Sequence, residues 1–427
     1  MKRKTTALMP VLVLLALSGS PAFGQNGVWR DSMDATTAGR GGTNVAHADN
    51  GAILVDNPAG MTNVDGCGLF EIGLDGLTPQ VHYTDPINDI HSKFRPMGLP
   101  EISWIQKSED GRWAVGLGAF APAGFGAEYN YTSPVFGPQK LESFGSFAKI
   151  VPGIAYHVTD RLSVGATVGL GLSTVQLEGP FRLQTGLLAG APVLMHLHGT
   201  GAAPTESVGV QYQLTDTTTL GAAYTEETRF HLDGHLDAVV AGAAPVPLYS
   251  KFESDTHFIW PRNVTVGVVQ LLGDCQRVSV DVSWVDWESA FSGVDLKLTN
   301  SSNPLFPAVL GPVIHDRFPL NWKDSISVRL GYEYLLTPCS IVRAGYIYDN
   351  PAVPSETMTP YIPGLLEHTF TVGYGRQWQK WRLDTAYQFS FGHKQSVAQS
   401  QVVGGDFNNS QLEANVHWLM VSLMYQF

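Results

Sequence analysis

This sequence has few cysteines, few charged residues and no long apolar run after its N-terminus. Its 427 residues contain three cysteines, Cys67, Cys275 and Cys339, which excludes a scaffold held together by many disulfides. Charged residues make up 15% of the chain, the formal net charge is −12 and there is no polybasic run, so nucleic acid is not an expected partner. No later segment provides the ~20 apolar residues that a membrane-spanning helix needs. A single large β domain remains compatible with this length and composition.

The N-terminus has the features of a secretory signal peptide. Residues 2–4 form a basic head, residues 7–17 are largely apolar, and the small residues Ala22 and Gly24 occupy the cleavage positions. The apolar segment is roughly half as long as a membrane anchor requires. We therefore expect residues 1–24 to be removed from the mature protein.

Much of the remaining chain alternates apolar and polar residues with a period of two, which is typical of β-strands. The stretches SISVRLGYEYLL, WRLDTAYQFSF and RVSVDVSW each place apolar side chains on one face and polar side chains or glycine on the other. Such strands occur in soluble sandwiches, with about 5–6 residues each, and in transmembrane barrels, with ~10 residues each. The strands here are long, aromatic residues lie near their ends, and short turns alternate with long connections. These features favour the barrel.

The alternating segments predict fourteen strands, an even number, as a closed bacterial barrel requires. They are residues 68–80, 97–108, 112–128, 142–158, 161–178, 205–214, 218–234, 256–272, 276–298, 320–336, 340–350, 365–378, 380–394 and 414–427. The sequence thus predicts an all-β, antiparallel transmembrane β-barrel with long external loops at 179–204, 235–255 and 299–319. Cys275 and Cys339 fall in short turns, and whether they form a disulfide stays open.

Residues 25–66 precede the first strand and are mostly small and polar. A barrel of this size is too wide for side chains alone to fill. A segment without its own core can pack against the barrel wall from inside. We therefore predict that residues 25–66 form a hatch in the lumen and that residues 67–427 form the barrel, with a disordered periplasmic tail as the alternative for the first segment.

The stretch GRGGTNVAHADNGAILVDNPAGMTN resembles the N-terminal hatch of FadL-type outer-membrane transporters of long-chain fatty acids and other hydrophobic compounds. The matching steps are Ala-Asp-Asn at 48–50 and Asn-Pro-Ala at 57–59. RLSVGATVGL resembles the fifth strand of these transporters, VDVSWVDW the ninth, NWKDSISVRLGYEY the tenth, and VRAGYIYDNPAVPSETMTPYIPG the eleventh with its loop. The resemblance covers essentially the whole mature chain, and the order and spacing of the motifs make it specific.

The resemblance implies that external loops capture a hydrophobic compound, which moves to an internal apolar pocket and leaves sideways where the third strand kinks inward. The corresponding stretch GLGAFAPAGFGAEY has a central proline, which cannot donate to a strand ladder; ordinary barrel glycine is the alternative interpretation. The candidate kink residues are Pro122, Gly124, Phe125 and Gly126. The hatch residues implied to pack beside the kink are Asn57, Pro58 and Ala59.

The same resemblance suggests ligand contacts at the hatch N-terminus, after the fifth strand and before the tenth. These candidates are Val28, Trp29, Leu177, Arg182 and Arg317. The sequence departs from the fatty-acid transporters after the fifth strand, where Glu178 lies close to the place of a basic residue. Arg182 is the nearest substitute, and Arg317 is displaced by a residue or so. The loop RLQTGLLAGAPVLMHLHG is either a capture surface or a self-packed external loop. Both a fatty acid and an uncharged hydrocarbon therefore stay open as substrates.

No Gly-x-Ser-x-Gly elbow, His-Glu-x-x-His pair or phosphate loop occurs, so no enzymatic activity, cofactor or metal is expected. His196 and His198 could hold a metal if they lay on a strand, but a solvated loop is the favoured interpretation. Besides the hydrophobic compound, the expected partners are outer-membrane lipid, lipopolysaccharide and the barrel assembly machinery, whose signal the final LMVSLMYQF resembles. We expect a monomer in the bacterial outer membrane. The rival function is a passive pore for small polar solutes, without a plug or a gap in its wall.

Overall fold

The wall of the protein is built from side chains that point in turn to opposite faces of long strands. The computed structural model describes residues 25–242 and 245–427, so the predicted signal peptide lies outside the described residues. In the strand Ser325–Thr337, Ile326 is exposed on the outer face and Ser327 is buried on the inner face. An apolar outer face and a polar interior are the arrangement of a membrane barrel.

Twenty strands occur in the described residues, and fourteen of them form a closed ring. The strands are β1 (Gly68–Thr84), β2 (Asp89–His91), β3 (Met97–Lys107), β4 (Trp113–Ser133), β5 (Gly137–Thr159), β6 (Leu162–Arg182), β7 (Pro192–Thr215), β8 (Thr218–Thr225), β9 (Thr228–Val240), β10 (Leu248–Trp260), β11 (Asn263–Leu272), β12 (Gln276–Val285), β13 (Gly293–Thr299), β14 (Ile314–Pro319), β15 (Ser325–Thr337), β16 (Ser340–Asp349), β17 (His368–Trp378), β18 (Trp381–Phe391), β19 (Gln395–Val397) and β20 (Ser410–Gln426). The order around the ring is β1, β3, β4, β5, β6, β7, β8, β11, β12, β15, β16, β17, β18 and β20, and β20 pairs with β1 again. The predicted 14-stranded antiparallel barrel is confirmed.

Short helices connect or precede these strands. The α-helices are Ala35–Gly39, Ile53–Asp56, Trp287–Ala290 and Leu305–Leu310, and the 3₁₀ helices are Pro58–Asn63 and Ser355–Thr357. Within the described parts of the chain, no helix combines the length and the apolar character needed to cross a membrane.

Three predicted strands were too long, because the alternation of residues continues across breaks in the chain. The predicted strand 218–234 spans the break between β8 and β9, and the predicted strand 256–272 spans the break between β10 and β11. The predicted strand 276–298 includes a helix that lies between β12 and β13. Beyond the breaks, β9, β10, β13 and β14 pair with the start of β7 and with one another as an outer sheet. The predicted loops that contain parts of this outer sheet are 179–204, 235–255 and 299–319.

Aromatic pairs mark the end of the barrel that carries the short turns. The rings of Trp113 and Tyr156 are 4.3 Å apart, and those of Trp381 and Tyr425 are 4.8 Å apart. Such pairs are typical of the aromatic girdle at a membrane interface. Outer-membrane barrels place short turns in the periplasm and long connections outside the cell, so the outer sheet is extracellular.

The two cysteines in short turns lean toward different neighbours. The carbonyl of Cys275 accepts a hydrogen bond from Leu335 of β15 at 2.8 Å, whereas the carbonyl of Cys339 accepts one from Gln377 of β17 at 2.9 Å. All three cysteines, including Cys67, are free and exposed.

We expect all three cysteines to react with a maleimide in denaturant without reductant, because all three are free in the structure. Mass spectrometry of the labelled protein counts the adducts, and a sample treated with reductant beforehand gives the reference mass. A single adduct in the untreated sample would demonstrate a disulfide and contradict this arrangement.

Candidate functional site

Residues 25–66 fill the lumen of the barrel. Hydrogen bonds and ion pairs join this segment to β1, β6, β7, β12, β15, β17, β18 and β20, which lie all around the ring. A segment that contacts so many sides of a closed ring lies inside it. Small residues permit the close packing: a Cβ atom on Gly373 of β17 would lie 2.7 Å from the Cα atom of Gly39. We call residues 25–66 the hatch.

A buried ion network attaches the hatch to the wall. Its members are Arg40 and Asp49 of the hatch and Arg277, Glu333, Arg343 and Asp384 of the wall. Asp49 Oδ2 lies 2.9 Å from both Arg40 Nη1 and Arg277 Nη2. Glu333 Oε1 accepts from Arg343 Nε at 2.8 Å and lies 3.5 Å from Arg40 Nη1. Arg343 also donates to Asp384 at 2.6 Å, so the network extends from the hatch across β12, β15, β16 and β18.

The ion network keeps the carboxylate of Asp49, its acidic member in the hatch, charged. Burial raises the pKa of Asp49, but Arg40 and Arg277 outweigh burial and hold this pKa well below its ordinary value. Removing one partner from a buried ion pair leaves an uncompensated charge and costs about 3–5 kcal/mol. The ion pairs of Arg40 and Asp49 therefore stabilise the hatch in its place against the wall.

The barrel wall is irregular at the stretch that the sequence predicted to kink. The pairing of β4 with β5 shifts between Phe120, which lies opposite Lys149, and Ala123, which lies opposite Phe147. Three steps along β4 thus match two steps along β5, and β4 holds one extra residue there, a β-bulge that includes Pro122.

On its other side, the same stretch of β4 does not pair with β3. β4 pairs with β3 only as far as Ala119, which lies opposite Ile102. Residues 97–101 of β3 pair with β1 and, within the described residues, have no strand partner toward β4. Gly124 and Gly126 are back in register with β5 beyond the bulge. We call the stretch where β3 and β4 do not pair the wall gap.

The N-terminus of the hatch takes up hydrogen bonds that the bulge leaves free. The Arg30 N–H donates to the carbonyl of Pro122 at 2.9 Å, and the Gly124 N–H donates to the carbonyl of Val28 at 3.0 Å. Trp29 forms an isolated antiparallel bridge with Ala123. The hatch thus pairs with the inner edge of the bulge.

The residues expected beside the kink, Asn57, Pro58 and Ala59, lie elsewhere. Asn57 Nδ2 donates to the carbonyl of Val210 on β7 at 3.0 Å, and a Cβ atom on Gly165 of β6 would collide with the backbone of Pro58 and Ala59. The expectation is corrected: the Asn-Pro-Ala step packs against β6 and β7, where glycines leave room for its backbone, and residues 28–30 contact the kink instead.

A large apolar cavity of about 990 Å³ lies between the barrel and the outer sheet. We call it the outer cavity. Its walls come mainly from leucine, valine, isoleucine and phenylalanine side chains. They include Leu177, Phe181, Leu197, Leu236, Phe252, Leu298, Phe306 and Phe318.

The two arginines predicted to meet a ligand already have acidic partners. Arg182 lines the outer cavity, but its Nε and Nη2 donate to Asp406 at 2.7 and 2.8 Å. Arg317 lines neither this cavity nor the inner one described below, and donates to both carboxylate oxygens of Asp295 at 2.7 Å. Burial raises the pKa of Asp316, another residue of the outer cavity, and so favours its neutral form. Among the described residues that line the outer cavity, none is therefore a basic group without an acidic partner.

A second cavity of about 640 Å³ lies between the hatch and the wall. We call it the inner cavity. Trp29 and Pro122 line it beside the bulge, so one predicted ligand residue and one predicted kink residue meet there. Val28 is buried next to Trp29 but lines neither cavity. Lys149 also lines the inner cavity, and the sequence analysis did not identify it. The available signal was a lysine among the apolar and small residues of ESFGSFAKIVPG.

One continuous apolar cluster joins the two cavities and the bulge. Phe181 and Tyr361 of the outer cavity belong to it, as do Trp29 and Phe125 near the bulge. The rings of Phe147 and Trp260 stack within it at 5.4 Å.

The histidines considered as metal ligands lie on a strand and not in a solvated loop. His196 and His198 are half-buried on β7, and their rings lie 6.4 and 5.8 Å from the ring of His235 on β9.

The sequence profile of the family described as "Outer membrane protein transport protein (OMPP1/FadL/TodX)" matches residues 26–427. The chain belongs to this family. Its members are transport proteins of the bacterial outer membrane, so the chain is a transport protein of that membrane and not an enzyme. Among the curated proteins, none matches this chain in sequence.

Solved structures of this family share the fold. A Pseudomonas aeruginosa FadL homologue is 17% identical with a TM-score of 0.76, covering 94% of this chain and 100% of its own. The P. putida toluene transporter TodX is 22% identical with a TM-score of 0.78, covering 93% and 99%. The Ralstonia pickettii toluene transporter TbuX is 21% identical with a TM-score of 0.72, covering 93% and 99%.

We expect Glu333→Ala to loosen the hatch, because it leaves Arg277 and Arg343 short of a buried partner at a cost of about 3–5 kcal/mol. Planar-bilayer recordings should show a higher conductance, and limited proteolysis should cleave within residues 25–66. The control is Glu288→Ala, which removes an exposed carboxylate 3.4 Å from Lys323 and should change neither readout. A parental conductance and protease resistance in Glu333→Ala would contradict this role of the network.

Proposed function

We propose that this protein carries small hydrophobic compounds across the outer membrane and releases them sideways into the bilayer. The path begins in the outer cavity, follows the apolar cluster to the inner cavity and ends at the wall gap. The observation that supports this path best is that the bulge, the inner cavity and the start of the wall gap all meet at Pro122.

Two features argue against a path along the barrel axis. The ion network attaches the hatch to several strands, and the interior of the hatch is polar: Arg40, Asn44 and Asn50, for example, are fully buried and hydrogen-bonded. An apolar solute gains nothing by displacing such groups, whereas the hydrocarbon core of the bilayer is favourable for it. A filled lumen likewise argues against a passive pore for polar solutes.

The outer cavity suits the capture step. Leu177 and its neighbours offer apolar surface, and Arg182 is neutralised by Asp406. A lining of mainly apolar side chains with few polar groups is typical of sites that bind small organic molecules. The structural relatives TodX and TbuX are described as toluene transporters, which supports a hydrophobic solute here.

Deleting Pro122 should close the wall gap and abolish uptake. The bulge holds one extra residue, so removing one residue restores the regular register with β5 and keeps Phe125 and Tyr129 facing inward. The variant gains strand hydrogen bonds and should assemble. Uptake of a labelled hydrophobic compound by cells that depend on this protein should fall to the level of cells without it.

The matched control is Pro122→Ala, which keeps the extra residue and therefore the bulge. It should retain uptake, and both variants should show the heat-modifiable gel mobility of a folded barrel. Normal uptake by an assembled Pro122 deletion would establish a path through the hatch and contradict lateral release.

A further inference from the structure

Two strands of the outer sheet, β9 and β10, carry histidine and acidic residues at every second position. β9 contains the stretch HLDGHLD at residues 231–237, and β10 contains the stretch ESDTH at residues 253–257. Because side chains alternate across a strand, the histidines and acids lie on one face of the sheet. The residues between them lie on the other face, where Leu236 and Phe252 line the outer cavity.

The pairing of these strands brings three possible metal ligands together. His231 lies directly opposite His257, and their rings are 4.2 Å apart between centroids. Asp255 Oδ1 lies 3.4 Å from His231 Nδ1, and Asp255 Oδ2 lies 3.4 Å from His257 Nε2. One ligand atom of each residue lies within 4.8 Å of those of the other two. We call His231, Asp255 and His257 the outer triad.

The distances in the outer triad suit a tetrahedral transition metal ion. Zn²⁺ binds imidazole nitrogen and carboxylate oxygen at about 2.0–2.2 Å, and bonds of that length place tetrahedral ligand atoms roughly 3.3–3.6 Å apart. The two imidazole–carboxylate distances of 3.4 Å fall within this range. Two histidines and one carboxylate form a three-ligand set, which leaves a fourth position for water.

The carboxylate of the outer triad lacks a partner of its own. Asp255 Oδ1 is shielded from solvent and, within the described residues, accepts no hydrogen bond. Asp233 lies directly opposite Asp255 on β9, and like charges in this arrangement destabilise a strand pair. Lys297 lies opposite Asp255 on β13, but no ion pair joins the two in the described parts of the chain. A divalent cation would supply the missing partner and offset the repulsion.

Two other groups of three possible ligands occur in the described residues, and both suit a metal ion less well. In the first, Asp49 and Glu333 already bind arginines of the ion network, whose charge repels a cation. In the second, the two oxygens of Glu367 accept hydrogen bonds from the backbone N–H and from the ring of His393, at 3.2 and 2.6 Å. The ligand atoms of the outer triad are not committed in this way.

We propose that the outer triad binds a divalent transition metal ion such as Zn²⁺ on the extracellular face of the outer sheet. The ion joins β9 to β10 on the side of the sheet that faces away from the outer cavity. Imidazole nitrogens favour Zn²⁺ over Mg²⁺ and Ca²⁺, which prefer oxygen ligands. The ligands come from two strands that meet only in the fold, so no local sequence motif indicates the site. The metal site is independent of the proposed transport path, because its three residues line neither the outer nor the inner cavity.

The test is isothermal titration of Zn²⁺ into the mature protein in detergent, purified without a histidine tag and dialysed against a chelator. The parent is compared with His231→Gln, Asp255→Asn, His257→Gln and the control Glu253→Gln. Glu253 lies two residues from Asp255 on the same face, and its Oε2 accepts a hydrogen bond from Asn300 at 2.6 Å. The control therefore removes the same charge as Asp255→Asn without removing a triad ligand. Heat-modifiable gel mobility confirms that each variant is folded.

We expect saturable Zn²⁺ binding by the parent and by Glu253→Gln, and excess Mg²⁺ should not displace the ion. Each triad substitution should weaken the tightest binding step by about tenfold or more, since even changes behind the ligands of a metal typically cost about 10–100-fold in affinity. An unchanged affinity in the three triad variants would overturn the site. Equal weakening in Glu253→Gln would also overturn it, because the acidic face would then attract cations only by its overall charge.

Two outcomes are decisive from the parent alone. If the parent shows no saturable binding of Zn²⁺, the proposal fails whatever the variants do. If excess Mg²⁺ displaces Zn²⁺, the ion is held by carboxylates without the histidines, and the outer triad is not the site.

Discussion

The rest of the structure depends on the buried ionic attachment between the hatch and the wall. Arg40 and Asp49 of the hatch pair with each other and with Glu333 and Arg277 of the wall, so the hatch charges are buried together with the wall charges that neutralise them. Because unpaired charges are costly in a water-poor interior, the hatch behaves as part of the wall. A barrel this wide can then remain closed along its axis, which is the basis of the lateral release proposed above.

The fold could be predicted because the alternation of apolar and polar residues in each strand determines which face points to lipid. Ile326 on the outer face and Ser327 on the inner face are an example. The ends of the strands could not be predicted as well. The alternation runs from β8 into β9 and from β10 into β11 without a change, so residues alone do not reveal where a strand leaves the ring and enters the outer sheet.

The role of a site residue could be predicted from the sequence where it depends on the residue type itself. It could not be predicted where it depends on a partner far away in the sequence. Pro122 indicated the bulge because proline disrupts a ladder wherever it stands. Arg182 looked like a free cation, but its partner Asp406 is 224 residues away in the sequence. Lys149 was missed because its place in the wall of the inner cavity is visible only after the chain has folded. The Asn-Pro-Ala step was misplaced because its position depends on glycines of β6 and β7.

The outer sheet has a consequence for the thermodynamics of the proposed capture step. Three strands of the ring continue into the outer sheet or out of it across short breaks: β8 leads into β9, β10 into β11, and β12 into β13. The walls of the outer cavity are therefore a continuation of the barrel. A binding site built on such strands is pre-organised, and an arriving solute does not have to order a loop before making its contacts. Little conformational entropy is then lost on binding. Even a small apolar molecule, which can form few contacts, keeps most of the affinity that its buried surface provides.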